Sequence, residues 1–304
     1  MSSFASVNGI VTPAEEARVS VLDNGFTYGD SVYEVLRTYG GRAFEPGRHF
    51  RRLRRSAARL GFDVPADDAK LLADVDALLA RAPEGESYIR IVVTRGVGDC
   101  SYNFERVQGP TVVMIQKTLP PYPERHYAEG IRVAAVGVRR NHPRALDPAI
   151  KSSNLLNNVL AVREAQSRGA EEPVLLNHDG FLAEGASTNV FAAKGGTLRT
   201  PPLSAGILAG ITREVVLELV AGLGIPCREE PLHLDDLVGA DEAFLTSTTR
   251  EVVPVQRVDE AVVGDGRPGP LTRRVMAAFR AYAPAHCGAA ALTAGATPSA
   301  RTSG

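Results

Sequence analysis

The chain has 304 residues, of which 44% are hydrophobic and 23% charged, and its formal net charge is -1. This is the balance of a globular protein in water, with no basic excess that would mark a nucleic-acid or anionic-membrane surface. Its length allows two moderate domains, each able to bury a core. The three cysteines, Cys100, Cys227 and Cys287, are far apart and form no CxxC pair. That pattern argues against a disulfide framework and for a reducing compartment, taken here to be the cytoplasm.

In chain order, MSSFASVNGI lacks the charged-then-apolar pattern of a signal peptide, and VNGIVTPAEEARVSVLDNGFTYGD reads as short strands with turns at Asn8-Gly9 and Asn24-Gly25. SVYEVLRTYGGRAF is a strand pair around Gly40-Gly41. RHFRRLRRSAARLG is a helix whose apolar stripe is Phe50, Leu53, Ala57 and Leu60, closed by Gly61. A second helix, DDAKLLADVDALLARA, stops before Pro83, and YIRIVVTRG and GPTVVMIQKTL are β-branched strands. No apolar run approaches the ~18 residues a spanning helix needs.

TLPPYPERHYAEG carries three prolines in six residues and is the linker, which sets the organisation as 1–118, a linker at 119–127, and 128–283. The second half opens with the strand IRVAAVGVRR, followed by a proline-marked loop and an amphipathic helix starting at Ser-Ser-Asn after Lys151. Three short strands fall in PVLLNHDGFLAEGASTNVFAAKGGTLRTP. Then come the helix ITREVVLELVAGLG, the strand DEAFLTSTT and the helix TRRVMAAFRAYA. Residues 284–304 are small, polar and aperiodic and read as a disordered tail. The architecture is α+β, two mixed domains with antiparallel sheets.

Several side chains could carry chemistry. Lys151 is the one lysine in PAIKSSNLLNNVLAVREA. Apolar surroundings would lower its amine pKa and suit covalent catalysis; the alternative is an ordinary surface lysine. Glu184, between Ala183 and Gly185, either faces solvent or turns inward against a cation. Gly210-Ile211-Thr212 at a helix start is a ready phosphate site, or else a plain N-cap. Ser247 and Thr248 belong to a hydroxyl-rich loop of the same ambiguity. In the arginine-rich helix Arg52 precedes a buried-stripe leucine and is the arginine expected to turn inward. There is no P-loop, GxGxxG, HExxH or GxSxG, and the six histidines contain no i, i+4 pair, so no metal site is expected.

Taken in order, DNGFTYGDSVYEVLRTY, HFRRLRRSA, IKSSNLLNNVLA, LAEGASTNVF, ILAGITREVV and LTSTTREVVPV resemble the fold-type IV pyridoxal-phosphate enzymes over about residues 5–283. That family includes branched-chain and D-amino-acid aminotransferases, R-selective amine transaminases and aminodeoxychorismate lyase. The resemblance implies a smaller N-terminal α/β sandwich and a larger C-terminal pseudo-barrel domain, with pyridoxal 5'-phosphate as cofactor. It makes Lys151 the lysine that bonds to the cofactor and Glu184 the carboxylate on the pyridine nitrogen. Arg52, Ile211, Thr212, Ser247 and Thr248 become the phosphate contacts, and Leu208 the apolar residue against the ring. It further implies a homodimer with the active site at the subunit interface.

On the substrate side, the resemblance matches Tyr88 and Arg90, two residues apart in YIRIVVTRG, to a pair that lines the branched-chain aminotransferase pocket. Arg37, Tyr28 and Tyr33 match further pocket positions. The expected reaction is amino transfer from branched-chain L-amino acids to 2-oxoglutarate, with small amino and 2-oxo acids as partners. Two departures keep a D-amino-acid or R-amine transaminase as the alternative. Leu156 stands where the branched-chain enzymes have a tyrosine, and Val35 leans the same way. The Arg-x-His pair of the D-enzymes is replaced by Cys100 and Tyr102, so substrate carboxylate binding falls to Arg37, Arg90 or Arg95. The lyase would need a threonine where Val35 stands, and Thr38 lies on the opposite face of the strand.

Overall fold

A computed structural model describes residues 3–292 and divides them into two compact units, 3–119 with 283–292, and Pro120–Tyr282. In the first unit β1 (Phe4–Val7) and β2 (Ile10–Pro13) form a hairpin, and a single helical turn, α1 (Asn24–Thr27), precedes β3 (Ser31–Tyr39) and β4 (Arg42–Ala43). Helices α2 (Pro46–Arg59) and α3 (Asp68–Leu79) lead to β5 (Ser87–Thr94) and β6 (Val112–Thr118). The strands make an antiparallel sheet in the order β2-β1-β6-β5-β3-β4. At the Asn8-Gly9 and Gly40-Gly41 turns all four residues have positive φ, the backbone hand that matches sheet twist in tight hairpins. Asn24-Gly25 makes α1 rather than a turn between strands, because Asp23 is buried and caps the Gly25 N–H while accepting from the Thr94 and Thr111 hydroxyls.

Alternation along β3 divides the sheet. Val32, Glu34, Leu36 and Thr38 point inward with Ile89, Ile91 and Val93 of β5, under Phe50, Leu53 and Ala57 of α2 and Leu71, Leu72, Val75 and Leu78 of α3. One of these inward residues is a carboxylate. Glu34 is fully buried and takes a two-point bond from Arg52, Nε–Oε1 2.7 Å and Nη2–Oε2 2.8 Å, plus His49 Nδ1 at 2.7 Å. Burial alone would raise the Glu34 carboxyl, but the Arg52 charge and these bonds hold it well below the ordinary carboxylate range.

In the second unit α4 (Glu124–Ala128) occupies part of the expected linker, because Tyr127 is buried there and its hydroxyl donates to the Arg250 carbonyl. There follow β7 (Ile131–Ala135), α5 (Leu156–Ser167), β8 (Glu172–Leu176), β9 (Leu182–Gly185), β10 (Asn189–Lys194) and β11 (Thr197–Thr200). The chain continues through α6 (Ile211–Gly222), β12 (Cys227–Glu229), α7 (Leu234–Val238), β13 (Glu242–Ser247), β14 (Glu251–Val258), β15 (Ala261–Val262) and α8 (Pro270–Tyr282). The order is β12-β11-β10-β13-β14-β7-β8-β9, and β9 returns beside β10, so the sheet curls back on itself.

Four differences from the sequence reading have physical causes. The second sheet is mixed rather than antiparallel: β7 and β8 run parallel because α5 crosses between them, and β14 pairs parallel to β7. The span 172–200 holds four strands, not three. Helix α5 begins at Leu156 instead of at the serines, since Ser152 and Ser153 lie in tight turns of the preceding loop. The expected tail from 284 is ordered through 292, where the backbone pairs Phe44 with Cys287 and Cys287 and Ala291 are buried; the remainder lies outside the described residues.

Removing one member of a buried pair strands the other. Glu34→Ala is therefore expected to lower unfolding free energy by about 3–5 kcal/mol at neutral pH, read by urea denaturation. Because the folded Glu34 carboxyl is depressed, the wild-type advantage should be fully present above its unfolded pKa and fade as pH falls below that value. An equal cost at pH 7 and pH 3 would contradict this account.

Candidate active site

The second unit gathers Lys151, Glu184, Leu208, Ile211 and Thr212 around one strand start. Glu184 lies on β9 with all neighbours buried, so its charge needs partners from other segments. Arg140, in the loop after β7, donates Nε to Oε1 at 2.8 Å. The Leu208 N–H and the Asn189 side-chain amide donate to Oε2 at 3.0 and 3.2 Å. Arg140 is held in turn by Asn157 Oδ1 at 3.1 Å, and Asn157 and its neighbour Asn158 open α5 just past Lys151. The Lys151 ammonium lies close enough to stabilise the Glu184 charge. Burial nonetheless dominates and raises the Glu184 carboxyl above its ordinary value, against the pull of Arg140, the Leu208 amide and Lys151.

Asn189, the first residue of β10, ties this carboxylate to a helix start. Its amide donates both to Glu184 and to the Leu208 carbonyl at 3.0 Å. Gly210 lies against the same side chain, so close that a Cβ there would sit 2.0 Å from Asn189 Oδ1. Gly210 is the N-cap of α6 and offers no side chain, leaving the first-turn amides for another acceptor. Thr212 Oγ1 in that first turn is buried and without a hydrogen-bond partner, as is Thr246 Oγ1 on β13, whose backbone pairs with Asn189. Two orphaned buried hydroxyls beside an uncapped helix start fit a phosphate group, which the N-cap alternative for Thr212 does not: its hydroxyl makes no capping bond. Ser247 and Thr248 follow Thr246 directly and are half-buried.

Lys151 is presented by a loop. Asp147 accepts from the Ala149 N–H at 2.9 Å and from the Ile150 N–H at its carbonyl, and Lys151 follows, half-buried. Leu156, at the position of the tyrosine in the branched-chain pattern, is 69% exposed.

The remaining expected residues belong to the first unit. Tyr33, Val35 and Arg37 of β3 and Tyr88 and Arg90 of β5 share the half-exposed face of its sheet, with Val35 opposite Arg90 and Arg37 opposite Tyr88. The Arg90 guanidinium lies 4.0 Å over the Tyr33 ring and that of Arg37 lies 4.1 Å over the Tyr39 ring. Thr38 is on the buried face. Arg95 is also buried and committed, to Asp30 at 2.5 Å and the Leu60 carbonyl at 2.6 Å, which removes it as a substrate-carboxylate ligand. Tyr28 packs at a tilt against Tyr102 with ring centres 5.1 Å apart, and Cys100 and Tyr102 are exposed. Arg52 has two of its nitrogens on Glu34.

Sequence reasoning missed Arg140 and Asn189. Arg140 sits in VRRNHPR, where a charged strand end is unremarkable. Asn189 carried a faint mark, a polar residue opening the otherwise apolar run NVFAA. Since Arg140 supplies the largest pull down on the Glu184 carboxyl, Arg140→Met is expected to raise that carboxyl further, as read by carbon-13 NMR titration of labelled glutamate with Glu184→Gln for assignment. A downward or absent shift would refute the arrangement.

Comparison with known proteins identifies the family. The family model amino-transferase class IV matches residues 31–258. A Methanocaldococcus jannaschii protein, provisionally named a branched-chain-amino-acid aminotransferase, is 40% identical over 274 residues, covering 90% of this chain and 94% of the relative. The D-alanine aminotransferase of Bacillus licheniformis is 36% identical over 277 residues, with 90% and 94% covered. The crystal structure of the branched-chain aminotransferase of Thermoproteus uzoniensis with norvaline superposes with a TM-score of 0.85 at 34% identity, covering 92% and 94%. With the matched model spanning most of its length and a phosphate-ready helix start beside a buried carboxylate, the chain belongs to the class IV aminotransferases, the fold-type IV enzymes that work with pyridoxal phosphate.

Proposed function

We propose that this aminotransferase moves the amino group of branched-chain L-amino acids to 2-oxoglutarate. The observation that carries this reading is the open sheet face on which Tyr33, Val35, Arg37, Tyr88 and Arg90 are neighbours. The tyrosine rings suit an aliphatic side chain, and two guanidiniums suit carboxylates by two-point donation. The Thermoproteus uzoniensis enzyme, named for branched-chain substrates, supports it.

The residues around Glu184 and α6 fit pyridoxal phosphate: the α6 amides, Thr212 and the Ser247–Thr248 loop would hold the phosphate, Glu184 the pyridine nitrogen, and Leu208 one ring face. When bound, that group withdraws electrons and stabilises negative charge at the substrate α-carbon. Lys151 would attach it covalently and, as a neutral amine, take and return the proton at that α-carbon. Arg140, Asn189 and the Leu208 N–H hold the Glu184 carboxylate in place, and the Arg140 charge and the Leu208 N–H oppose the effect of its burial. Arg52, as a phosphate contact, and Tyr28, as a pocket residue, rest on the resemblance and belong to the same proposal.

Lys151→Ala is expected to abolish turnover and to leave no borohydride-fixed cofactor on the Lys151 peptide by mass spectrometry. Retained turnover would end the assignment. A second reading, D-amino-acid or R-amine transamination, is favoured by Leu156 and by the Bacillus licheniformis relative. Parallel half-reactions with L-leucine, D-alanine and R-1-phenylethylamine, followed by cofactor absorbance, decide between them; conversion by L-leucine is the expected result, and conversion by D-alanine alone would overturn it.

We also propose a cytoplasmic homodimer. Among the described residues no helix is long and apolar enough to cross a membrane. Val21, Phe26, Tyr102 and Phe104 of the first unit are exposed, as are Leu156, Val159 and Leu160 on one face of α5, and a second copy is the occupant proposed for them. Sedimentation velocity should give twice the chain mass, with Phe26→Asp shifting the population toward monomer; a wild-type monomer would refute the dimer.

A further inference from the structure

Arg250 has no role in the assignments above, yet it is among the most connected side chains of the second unit. Its Nη2 donates to Glu172 Oε2 at 3.0 Å and to Ser187 Oγ at 2.9 Å. Glu172, buried on β8, accepts through its other oxygen from the Ser187 N–H at 3.2 Å and the Thr188 hydroxyl at 3.1 Å. Those two residues form the turn that follows Glu184 and leads into Asn189. Thr188 packs tightly there: a Cβ on Gly185 would sit 2.1 Å from its hydroxyl oxygen. The Tyr122 hydroxyl is also bonded to the Arg250 side chain.

The Arg250 backbone is fastened as well. Its N–H donates to Ser247 Oγ at 3.3 Å, and its carbonyl accepts from the Tyr127 hydroxyl at 3.1 Å. With a lone pair of Ser247 Oγ engaged by that N–H, the hydroxyl proton is directed away from the Arg250 backbone. One residue thus grips the hydroxyl loop 247–249 by its main chain and the turn 185–188 by its side chain.

We infer that Arg250 is a positioning residue for the phosphate end of the cofactor, clamping the Ser247–Thr248 loop to the Glu172-bound turn behind Glu184. The inference rests on reading that loop as phosphate-binding. Arg250 does not touch the cofactor; it sets the loop that does, and Glu172 supplies the buried counter-charge that fixes its side chain. Outer partners that orient binding groups typically matter by about tenfold or more in affinity, the scale known from metal sites.

The test titrates the full-length chain, freed of cofactor, with pyridoxal phosphate, inorganic phosphate and pyridoxal. Arg250→Met is expected to weaken pyridoxal phosphate and inorganic phosphate by about tenfold and to leave pyridoxal, which lacks the phosphate, unchanged. Arg250→Lys should recover part of the loss, because an ammonium can still reach Glu172. Thr248→Val with Ser247→Ala serves as the control for the underlying reading. If that control leaves phosphate affinity intact, the loop is not the phosphate site and both readings fall. If the control weakens phosphate binding and Arg250→Met does not, the clamp alone is refuted. Equal weakening of pyridoxal and pyridoxal phosphate by Arg250→Met, with a lowered Tm, would show a general packing role and also overturn the proposal.

Discussion

The second unit is organised around the cost of burying one carboxylate. Glu184 is buried on its strand, and donors from three other segments converge on its two oxygens. Each donor fixes the segment it comes from: Arg140 fixes the loop after β7, Leu208 the approach to α6, and Asn189 the start of β10. A buried charge must be paired and hydrogen-bonded, so satisfying Glu184 also sets where these three segments meet.

The same economy links the carboxylate to the start of α6. Asn189 bonds Glu184 and Leu208 while Gly210 is pressed against it, so the α6 start stands at a set distance from the carboxylate. A side chain at 210 would push the two apart. The helix start therefore owes its position to a missing side chain and its empty amides to a missing cap. Thr212 and Thr246, with hydroxyls that nothing in the protein satisfies, mark where an outside acceptor belongs.

The first unit solves a parallel problem differently. Glu34, Arg52 and His49 are bonded together under the sheet, while the opposite face carries Tyr33, Arg37, Tyr88 and Arg90 at its half-exposed surface. Strand alternation accounts for this division: from Val32 to Tyr39 the even positions of β3 are buried on the α2 side and the odd positions are half-exposed. Arg95, equally arginine and equally near in sequence, is withdrawn from that face by Asp30.

Much of this was legible in the residues themselves. Periodicity located α2, α3, α6 and α8 and most strands, paired turn residues located the first two hairpins, and six short motifs in order pointed to the family and to Lys151, Glu184 and Thr212. Such features are local, and a linear pattern records them. Strand β14 was not legible as a strand, since Pro254 sits within it although it is paired on both sides; α4 was hidden behind three prolines. Arg140 and Arg250 were invisible for a different reason. Each acts through a partner tens of residues away, at separations of 44 for Arg140 and Glu184 and 78 for Arg250 and Glu172. The sequence by itself determined the family and named candidate groups for the chemistry; only the folded chain decided which charges face each other, because that pairing depends on the distance between segments in space.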